Sequence, residues 1–263
     1  MIPEIFEGFH IHHYKEVSST NREALDLIDK EISNETVIIA DKQTDGRGRT
    51  WKSWVSPKGN FCASLITDLL YNCSGIIPTL DSGVTCWNDR ENLSKLTELT
   101  FVTAVAVGNT LSLFIGDSNI QYKWPNDILV GGKKISGILL EKKSNSNWLV
   151  IGIGINIDHA PLSEATYVSS YGKSVSNTDL LKELIINFNK LRKQWMFDGF
   201  YVIREMWLKR AFKMNEQIIV KLAGKLYEGI FIDIDKSGRL VLQQEDGSLI
   251  YSDAGELFVD STL

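Results

Sequence analysis

The sequence predicts an α+β protein, with a mixed but mainly antiparallel central sheet packed against helices and a small β-barrel at the C-terminus. Three patterns support this prediction. A helix, a strand and a glycine loop open the chain; strand-like runs separated by turn residues follow a long apolar helix; and the C-terminal segment consists of short β-rich runs.

The first elements are predicted from apolar spacing. Residues 19–33 begin with cap-type residues and then place apolar side chains at helical intervals, which predicts a helix. Residues 36–42 predict a strand that runs into the glycine loop, and a second strand is expected from Phe61. The stretch from Lys95 to Ile115 is apolar nearly all round, as in a buried helix, and its Thr and Asn residues argue against a membrane span.

The middle of the chain predicts strands joined by hairpins. The runs IQYKW, KISGILLEKK and NWLVIGIGINI read as strands, and Ser144, Asn145 and Ser146 between the last two are typical of a hairpin turn. From Thr178 to Phe212 the pattern predicts two packed helices.

Two domains are expected. Residues 1–216 form the main domain and residues 217–263 form the β-barrel, because the second segment changes to short β-rich runs separated by turn residues. The segment from Asp68 to Asn92 has the weakest pattern and is predicted to be a loop excursion.

Composition excludes several classes of protein. The chain has 263 residues, 43% hydrophobic and 23% charged, which are values of a soluble globular protein, and its net charge of −5 argues against a general affinity for nucleic acid. Cys62, Cys73 and Cys86 have no metal-ligand or redox spacing, so free thiols in a reducing compartment are expected. Acidic residues replace the basic start of a signal peptide, and a cytoplasmic location is the expectation.

The glycine loop is the first candidate site. Gly46, Arg47, Gly48 and Arg49 combine two permanent cations with a backbone that bends tightly and offers N–H groups to an anion. Residues 41–58 contain five cations against two anions within an acidic chain. Gln43, Trp51 and Trp54 flank the glycines and add amide and aromatic chemistry. The pattern favours a small amphipathic ligand that carries a phosphate.

Three further segments resemble sites but have simpler explanations when taken singly. Residues 18–21 (SSTN) have the composition of a helix cap, residues 123–127 (KWPND) that of a turn, and Lys133 and Lys134 that of a solvated hairpin tip. His10, His12 and His13 are expected on an exposed strand edge and are not assigned to a metal site.

Together these segments resemble the catalytic domain of the biotin–protein ligases, also called biotin-[acetyl-CoA-carboxylase] ligases. The resemblance extends from about Tyr14 to Asn156 through SSTN, Q-x-x-GRGR, KWPND, KISGILLE and GIGIN, and the C-terminal segment looks like the SH3-like domain of that family. The resemblance implies the class II synthetase-like fold of biotin and lipoate ligases. It is similar to the type without an N-terminal DNA-binding domain, because the match begins too early for a helix-turn-helix module.

The resemblance implies a two-step reaction. Biotin and ATP, with Mg²⁺, give biotinyl-5'-AMP and pyrophosphate, and a lysine of the biotin carrier domain of a carboxylase such as acetyl-CoA carboxylase then takes the biotin. The implied catalytic residues are Lys134, Arg49 and Asp127. The implied ligand-binding residues are Ser19, Thr20, Asn21, Gln43, Gly46, Arg47, Gly48, Arg49, Trp54, Lys123, Asn126, Lys134, Gly137 and Asn156. No metal site built by the protein alone, no DNA and no membrane are expected, and a homodimer is possible.

Alternatives remain open at the level of sequence. A lipoate or octanoate transferase shares the fold, a DNA-binding repressor is a related type, and a binding module without turnover would use the same loop. The sequence also departs from the family pattern at Trp51 and Lys52, where the family commonly has a glycine and an arginine. Trp51 adopts a positive φ less readily than glycine, and Lys52 cannot bind a phosphate through two nitrogens as arginine does. Both changes affect how the glycine loop closes over the adenylate and retains it.

Overall fold

A computed structural model describes residues 4–49, 52–68, 89–116, 119–143, 146–172, 175–222, 224–253 and 256–258. Trp51, the predicted hairpin residues Ser144 and Asn145, the cysteines Cys73 and Cys86, and most of the predicted excursion lie outside the described residues.

The main body contains an eight-stranded sheet with the spatial order β1-β2-β3-β4-β8-β7-β6-β5. Neighbouring strands are antiparallel except for β2 and β3, which are parallel and are connected by a helix. The mixed, mainly antiparallel sheet confirms the predicted fold class. The strands are β1 Ile5–Phe6, β2 Phe9–Tyr14, β3 Thr36–Ala40, β4 Phe61–Asp68, β5 Ile120–Lys123, β6 Asp127–Val130, β7 Lys133–Lys142 and β8 Trp148–Ile155.

Four α-helices and one 3₁₀ turn are present in the described part of the chain: α1 Thr20–Ile28, α2 Asp89–Ile115, α3 Asn177–Asp198, α4 Phe200–Leu208 and the turn Val168–Tyr171. Helix α2 begins at Asp89, so the end of the predicted excursion is helical rather than loop. The stretch Lys95–Ile115 is long and apolar enough to cross a membrane, but 67% of it is buried inside the fold, as expected of a core helix.

Strand alternation gives the sheet two different faces. Leu65 and Ile151 belong to the large core that contains α2 and α3, whereas Ile66 and Val150, one position away, pack with Ala24 of α1. Helix α1 therefore covers the opposite face of the sheet from α2 and α3. The face under α1 is the one that carries the site described below.

The C-terminal segment forms a separate five-stranded antiparallel sheet in the order β12-β11-β10-β9-β13. Its strands are β9 Gln217–Leu222, β10 Lys225–Ile234, β11 Leu240–Gln243, β12 Leu249–Ser252 and β13 Glu256–Phe258. Its contacts with the main body include a hydrogen bond from Trp124 Nε1 to the Gly238 carbonyl at 3.3 Å and an ion pair between Arg204 of α4 and Asp233. The predicted C-terminal β structure is confirmed, and the division into domains 1–216 and 217–263 stays a prediction.

The predicted exposed strand edge is found for two of the three histidines. Strand β2 pairs with β3 along its length, whereas the two-residue strand β1 pairs only with Phe9 and His10 on the other side. His12 and His13 lie beyond the end of β1 and are exposed, and His10 is half-buried. His13 Nε2 lies 2.7 Å from Asp41 Oδ1, and this hydrogen bond joins β2 to the start of the glycine loop.

Candidate active site

The glycine loop, described at residues 41–49 and 52–56, follows β3, and its two described parts lie side by side as an irregular hairpin. Trp54 N donates to the Gly46 carbonyl at 2.8 Å, and Gly48 N donates to the Lys52 carbonyl at 2.6 Å. A Cβ on Gly46 would lie 2.2 Å from the Trp54 carbonyl oxygen, so this position requires glycine for close approach and not for a positive φ. In this conformation the Gly48 N–H bonds within the loop, and the anion-binding role predicted for the loop stays a prediction.

The start of α1 forms a buried polar cluster with the loop and β4. Gln43 Oε1 accepts hydrogen bonds from Thr20 N at 2.8 Å and from Thr20 Oγ1 at 3.1 Å. The Ser64 hydroxyl lies 2.8 Å from Thr20 Oγ1 and 2.5 Å from Asn21 Oδ1. Ser19 occupies the N-cap position, but its side chain makes no capping hydrogen bond.

A carboxylate continues this cluster toward the arginines. Glu141 Oε2 accepts from Asn21 Nδ2 at 2.7 Å, and Glu141 Oε1 accepts from the guanidinium of Arg47. The Glu141 side chain is 19% exposed and that of Arg47 is 38% exposed, so the pair is at the boundary between the polar cluster and solvent. One carboxylate thus bonds both to α1 and to the glycine loop.

Glycines on β7 and β8 form the floor of the site. A Cβ on Gly152 would lie 2.2 Å from Asn21 Oδ1, and a Cβ on Gly154 would lie 2.3 Å from the Trp54 indole. Gly137 pairs with Gly154 and leaves a looser space, with Lys134 and Trp54 atoms 3.3 Å from its imaginary Cβ. The absence of side chains at these positions allows Asn21 and Trp54 to lie flat on the sheet.

Lys134 is brought onto this floor by a β-bulge. The register between β6 and β7 shifts so that Ile128 pairs with Ser136 but Leu129 pairs with Lys134, leaving Ile135 as the extra residue. Without the bulge, Lys134 and Gly137 would point to opposite faces, because side chains alternate along a strand. With it, Lys134 Nζ lies 5.5 Å from the Trp54 ring centroid and 2.6 Å from Asp127 Oδ1.

The KWPND turn fixes the neighbouring strands. Asn126 Nδ2 donates to the Ile138 carbonyl at 2.6 Å, and Arg49 Nη1 donates to Asn126 Oδ1 at 3.4 Å. Asp127 pairs across the strands with Lys123 on one side and Gly137 on the other. The turn therefore holds a carboxylate, a lysine and the second loop arginine at one end of the glycine floor.

Asn156 has a different environment from the other predicted ligand-binding residues. It is buried, and its Nδ2 donates to the Thr166 carbonyl at 3.1 Å. The same segment exchanges backbone hydrogen bonds with Lys134, whose N donates to the Glu164 carbonyl and whose carbonyl accepts from Thr166 N. In this conformation Asn156 anchors the segment that holds the Lys134 backbone.

Asn60 is a fully buried amide that sequence reasoning missed. Its Oδ1 accepts from the backbone N–H groups of Ile157, Asp158 and His159 at 3.0 to 3.1 Å, and its Nδ2 donates to the His159 carbonyl at 2.9 Å. A single Asn beside a strand gives no signal of this role in the sequence. It fixes the chain where β8 ends and the segment that supports Lys134 begins.

Replacing Asn60 with alanine is expected to lower the free energy of unfolding by roughly 2–4 kcal/mol, because three backbone donors lose their acceptor in the interior. Urea denaturation measures the change. Asn34→Ala, at an exposed position, is the matched control and should change stability by less than about 0.5 kcal/mol. Equal stability of the Asn60→Ala protein and the wild type would contradict this role.

Cys62 lies on β4 and is a free, buried thiol, as predicted. Burial raises its pKa above the ordinary value, and its sulfur lies 3.1 Å from the Ala40 carbonyl oxygen, to which it donates. The thiol therefore stays protonated near neutral pH and has no nucleophilic character there.

The structure gathers most predicted residues onto one face of the sheet. Thr20, Asn21, Gln43, Arg47, Trp54, Asp127, Lys134 and Gly137 meet through the contacts above. Ser64, Glu141, Gly152 and Gly154 were missed as site residues, and their signal was strand alternation, which places each of them on the face under α1. Within the described residues, no three His, Cys, Asp or Glu side chains cluster as metal ligands.

Comparison with known proteins identifies the family. Residues 14–158 match the biotin/lipoate A/B protein ligase family, and residues 213–260 match the biotin protein ligase C-terminal domain. A biotin--[acetyl-CoA-carboxylase] ligase of Paracoccus denitrificans is 32% identical over 253 residues, covering 91% of this chain and 96% of that protein. The bifunctional ligase/repressor BirA of Bacillus subtilis is 30% identical, covering 93% of this chain and 73% of its relative.

Solved structures share the fold. The biotin protein ligase from Aquifex aeolicus, in complex with biotin and ATP, superimposes with a TM-score of 0.76 at 23% identity, covering 96% of this chain and 98% of that one. The chain therefore belongs to the biotin/lipoate A/B protein ligase family and, within it, to the biotin–protein ligases. The resemblance inferred from the sequence motifs is confirmed.

Proposed function

We propose that this site joins biotin to AMP at the expense of ATP and then transfers the biotin to a lysine of a biotin carrier domain. The observation that carries the proposal is the placement of Lys134, Asp127 and the Arg49–Asn126 pair beside a neutral polar cluster and a glycine floor. The neutral part suits a ring with amide groups, and the charged part suits a carboxylate and phosphates.

Biotin recognition is assigned to the polar cluster and the floor. The ureido ring of biotin presents two N–H donors and one carbonyl acceptor, and Thr20, Gln43, Asn21 and Ser19 supply short polar groups of both kinds. The Trp54 indole, for which the missing side chain of Gly154 makes room, supplies flat apolar contact for the fused ring and the acyl chain.

In the first step, an oxygen of the biotin carboxylate forms a bond to the α-phosphorus of ATP while the bond to pyrophosphate breaks. Two anions must meet, so cations contribute more than a general base. Lys134, Arg47 and Arg49 supply these cations. Lys134 is held by Asp127 at 2.6 Å, and we assign it to the oxygens shared between the carboxylate and the α-phosphate.

Mg²⁺ would arrive with the ATP phosphates and offset their charge. The residues fit such a role, since Mg²⁺ is usually bound by one or two carboxylates together with substrate phosphates and water. Asp127 is the carboxylate that would hold it, with the Asn126 side chain beside it. The described residues contain no cluster that would bind a metal without the nucleotide.

In the second step, the amine of the carrier lysine forms a bond to the biotinyl carbonyl carbon and AMP leaves. The incoming amine must lose a proton, and accepting this proton is the alternative role that we propose for Asp127. The glycine loop, anchored at Gln43 and at Arg49, covers the anhydride and excludes water until the carrier arrives. A cytoplasmic location, the absence of DNA binding and a homodimer stay predictions from the sequence.

Biotin-dependent exchange of labelled pyrophosphate into ATP tests the first step. We expect exchange with biotin and at least about 100-fold slower exchange with lipoate or octanoate, because buried polar groups discriminate strongly against a ligand that leaves them unpaired. Exchange that is faster with lipoate or octanoate would assign the site to the lipoate branch. Binding of biotin without exchange would mean that the protein is a binding module without turnover.

Replacing Arg49 with alanine is expected to release biotinyl-5'-AMP into solution, because the guanidinium that Asn126 orients no longer covers the adenylate. Chromatography of the free adenylate during turnover measures the loss. Arg22→Ala is the matched control, since Arg22 also carries a cation near the loop but pairs with Asp45 at the surface. Retention of the adenylate by the Arg49→Ala protein would remove Arg49 from this role.

A further inference from the structure

Glu141 belongs to a closed ring of side chains that begins and ends in the glycine loop. From Gln43 the contacts run through Thr20, Ser64 and Asn21 to Glu141, and they return to the loop at Arg47. The loop is therefore tied to the sheet at two positions only four residues apart. The KISGILLE motif contains Glu141, but neither the sequence reasoning nor the proposed reaction gives it a role.

Each member of the ring has little freedom. Asn21 is 4% exposed, its Oδ1 lies 2.5 Å from Ser64 Oγ, and the missing side chain of Gly152 lets it lie against β8. Its Nδ2 points the other way, to Glu141 Oε2 at 2.7 Å. A change in the hydrogen bonds of Thr20 or Gln43 therefore reaches Glu141 through an amide that cannot turn without losing a partner.

The Thr20–Gln43 end and the Arg47 end, where the ring meets the glycine loop, have different chemistry. Thr20 and Gln43 are neutral and suit the ring of biotin, whereas Arg47 is a cation that suits a phosphate. Glu141 is the only charged side chain between them in this ring, and its carboxylate fixes the direction of the Arg47 guanidinium. The contact is only partly shielded, so the arginine is free to add a phosphate partner from the solvent side.

We propose that Glu141 is a positioning residue that couples the two substrate sites: occupation of the Thr20–Gln43 end by biotin orients Arg47, through Asn21 and Glu141, for the phosphates of ATP. The inference rests on the proposed function. Coupling of this kind is a ratio of affinities, and it must be the same in both directions: biotin tightens the nucleotide as much as the nucleotide tightens biotin.

Glu141→Gln is the variant that isolates this role. Glutamine keeps the shape and can still accept from Asn21 Nδ2, but it lacks the charge that holds Arg47. Glu16→Gln is the matched control, because Glu16 also forms an ion pair, at 2.6 Å with Lys42, beside the same loop but outside the ring.

The experiment measures the affinity of a non-hydrolysable ATP analogue by calorimetry, with and without saturating biotin. In the wild type and in Glu16→Gln we expect biotin to tighten the analogue roughly 5- to 100-fold. In Glu141→Gln we expect this factor to fall below about 2-fold, with the affinity for biotin alone and the urea midpoint unchanged. A purely structural role would instead shift the midpoint or the affinity for biotin alone.

Full coupling in Glu141→Gln would overturn the inference, as would a loss of coupling that accompanies an equal loss of stability or occurs equally in Glu16→Gln. Failure of the wild type to bind biotin at all would overturn the proposed function instead, so the two failures are distinguishable.

Discussion

Replacing Lys134 with alanine is expected to slow biotin-dependent ATP–pyrophosphate exchange by about 10²- to 10³-fold and to weaken biotin binding by a clearly smaller factor, because Lys134 faces the biotin carboxylate in both states. The magnitude is that of removing one preorganised group that stabilises charge in a transition state. Lys134 Nζ is fixed by Asp127 at 2.6 Å and lies over the Trp54 ring, so the cation is in place before the substrates react. Recognition of the biotin ring by Thr20 and Gln43 does not involve it.

Two variants make the Lys134 result specific. Lys133→Ala removes the exposed neighbouring lysine and should leave exchange unchanged, whereas Lys134→Arg keeps the charge and should recover part of the rate. Measured kcat and KM values separate chemistry from binding, because loss of an interaction made mainly in the transition state lowers kcat. Exchange by the Lys134→Ala protein within about 3-fold of the wild type would contradict the assigned role.

The glycine floor predicts a graded series of binding defects. Gly154→Ala and Gly152→Ala place a Cβ 2.3 Å and 2.2 Å from Trp54 and Asn21, distances at which something must move. Overpacking costs about 1–3 kcal/mol, so the affinity for biotin is expected to fall roughly 5- to 150-fold in each. Gly137→Ala meets its neighbours at 3.3 Å, and its effect should be smaller.

Calorimetric titration with biotin measures the series, and a urea midpoint for each variant separates lost binding from lost stability. The expected order of affinity is wild type, then Gly137→Ala, then the Gly152 and Gly154 variants. Equal affinity in all four proteins would mean that biotin binding does not depend on the positions of Trp54 and Asn21 over these glycines. A shift in stability without a shift in affinity would mean that the glycines serve packing alone.

Much of the fold could be predicted because its helices and strands differ clearly in the spacing of their apolar residues. The runs around β4, β7 and β8 are long and apolar, the hairpin residues are typical, and the C-terminal segment is punctuated by turns. The exposed strand edge predicted for the histidines holds for His12 and His13 and fails only for His10, because nothing in the sequence of β2 reports that the two-residue strand β1 pairs there.

The sequence predicted the motifs of the site but not the residues and the bulge that hold these motifs in position. Lys134 and Gly137 were both named, but only the bulge at Ile135 puts them on one face, and a bulge has no reliable signal in a single sequence. Ser64 and Glu141 were not named as site residues, because one is a small polar residue within an apolar run and the other a charge at the end of one. Their roles depend on contacts with residues more than forty positions away, which periodicity does not report.

Transfer of labelled biotin to a biotin carrier domain, with ATP and Mg²⁺, tests the central claim most directly. We expect label on the carrier only when ATP is present, and none on a carrier whose acceptor lysine is replaced by arginine. Loss of transfer by Lys134→Ala would link that reaction to the site described here. Tight binding of biotin without any label on the carrier, or label that persists without the acceptor lysine, would contradict the account.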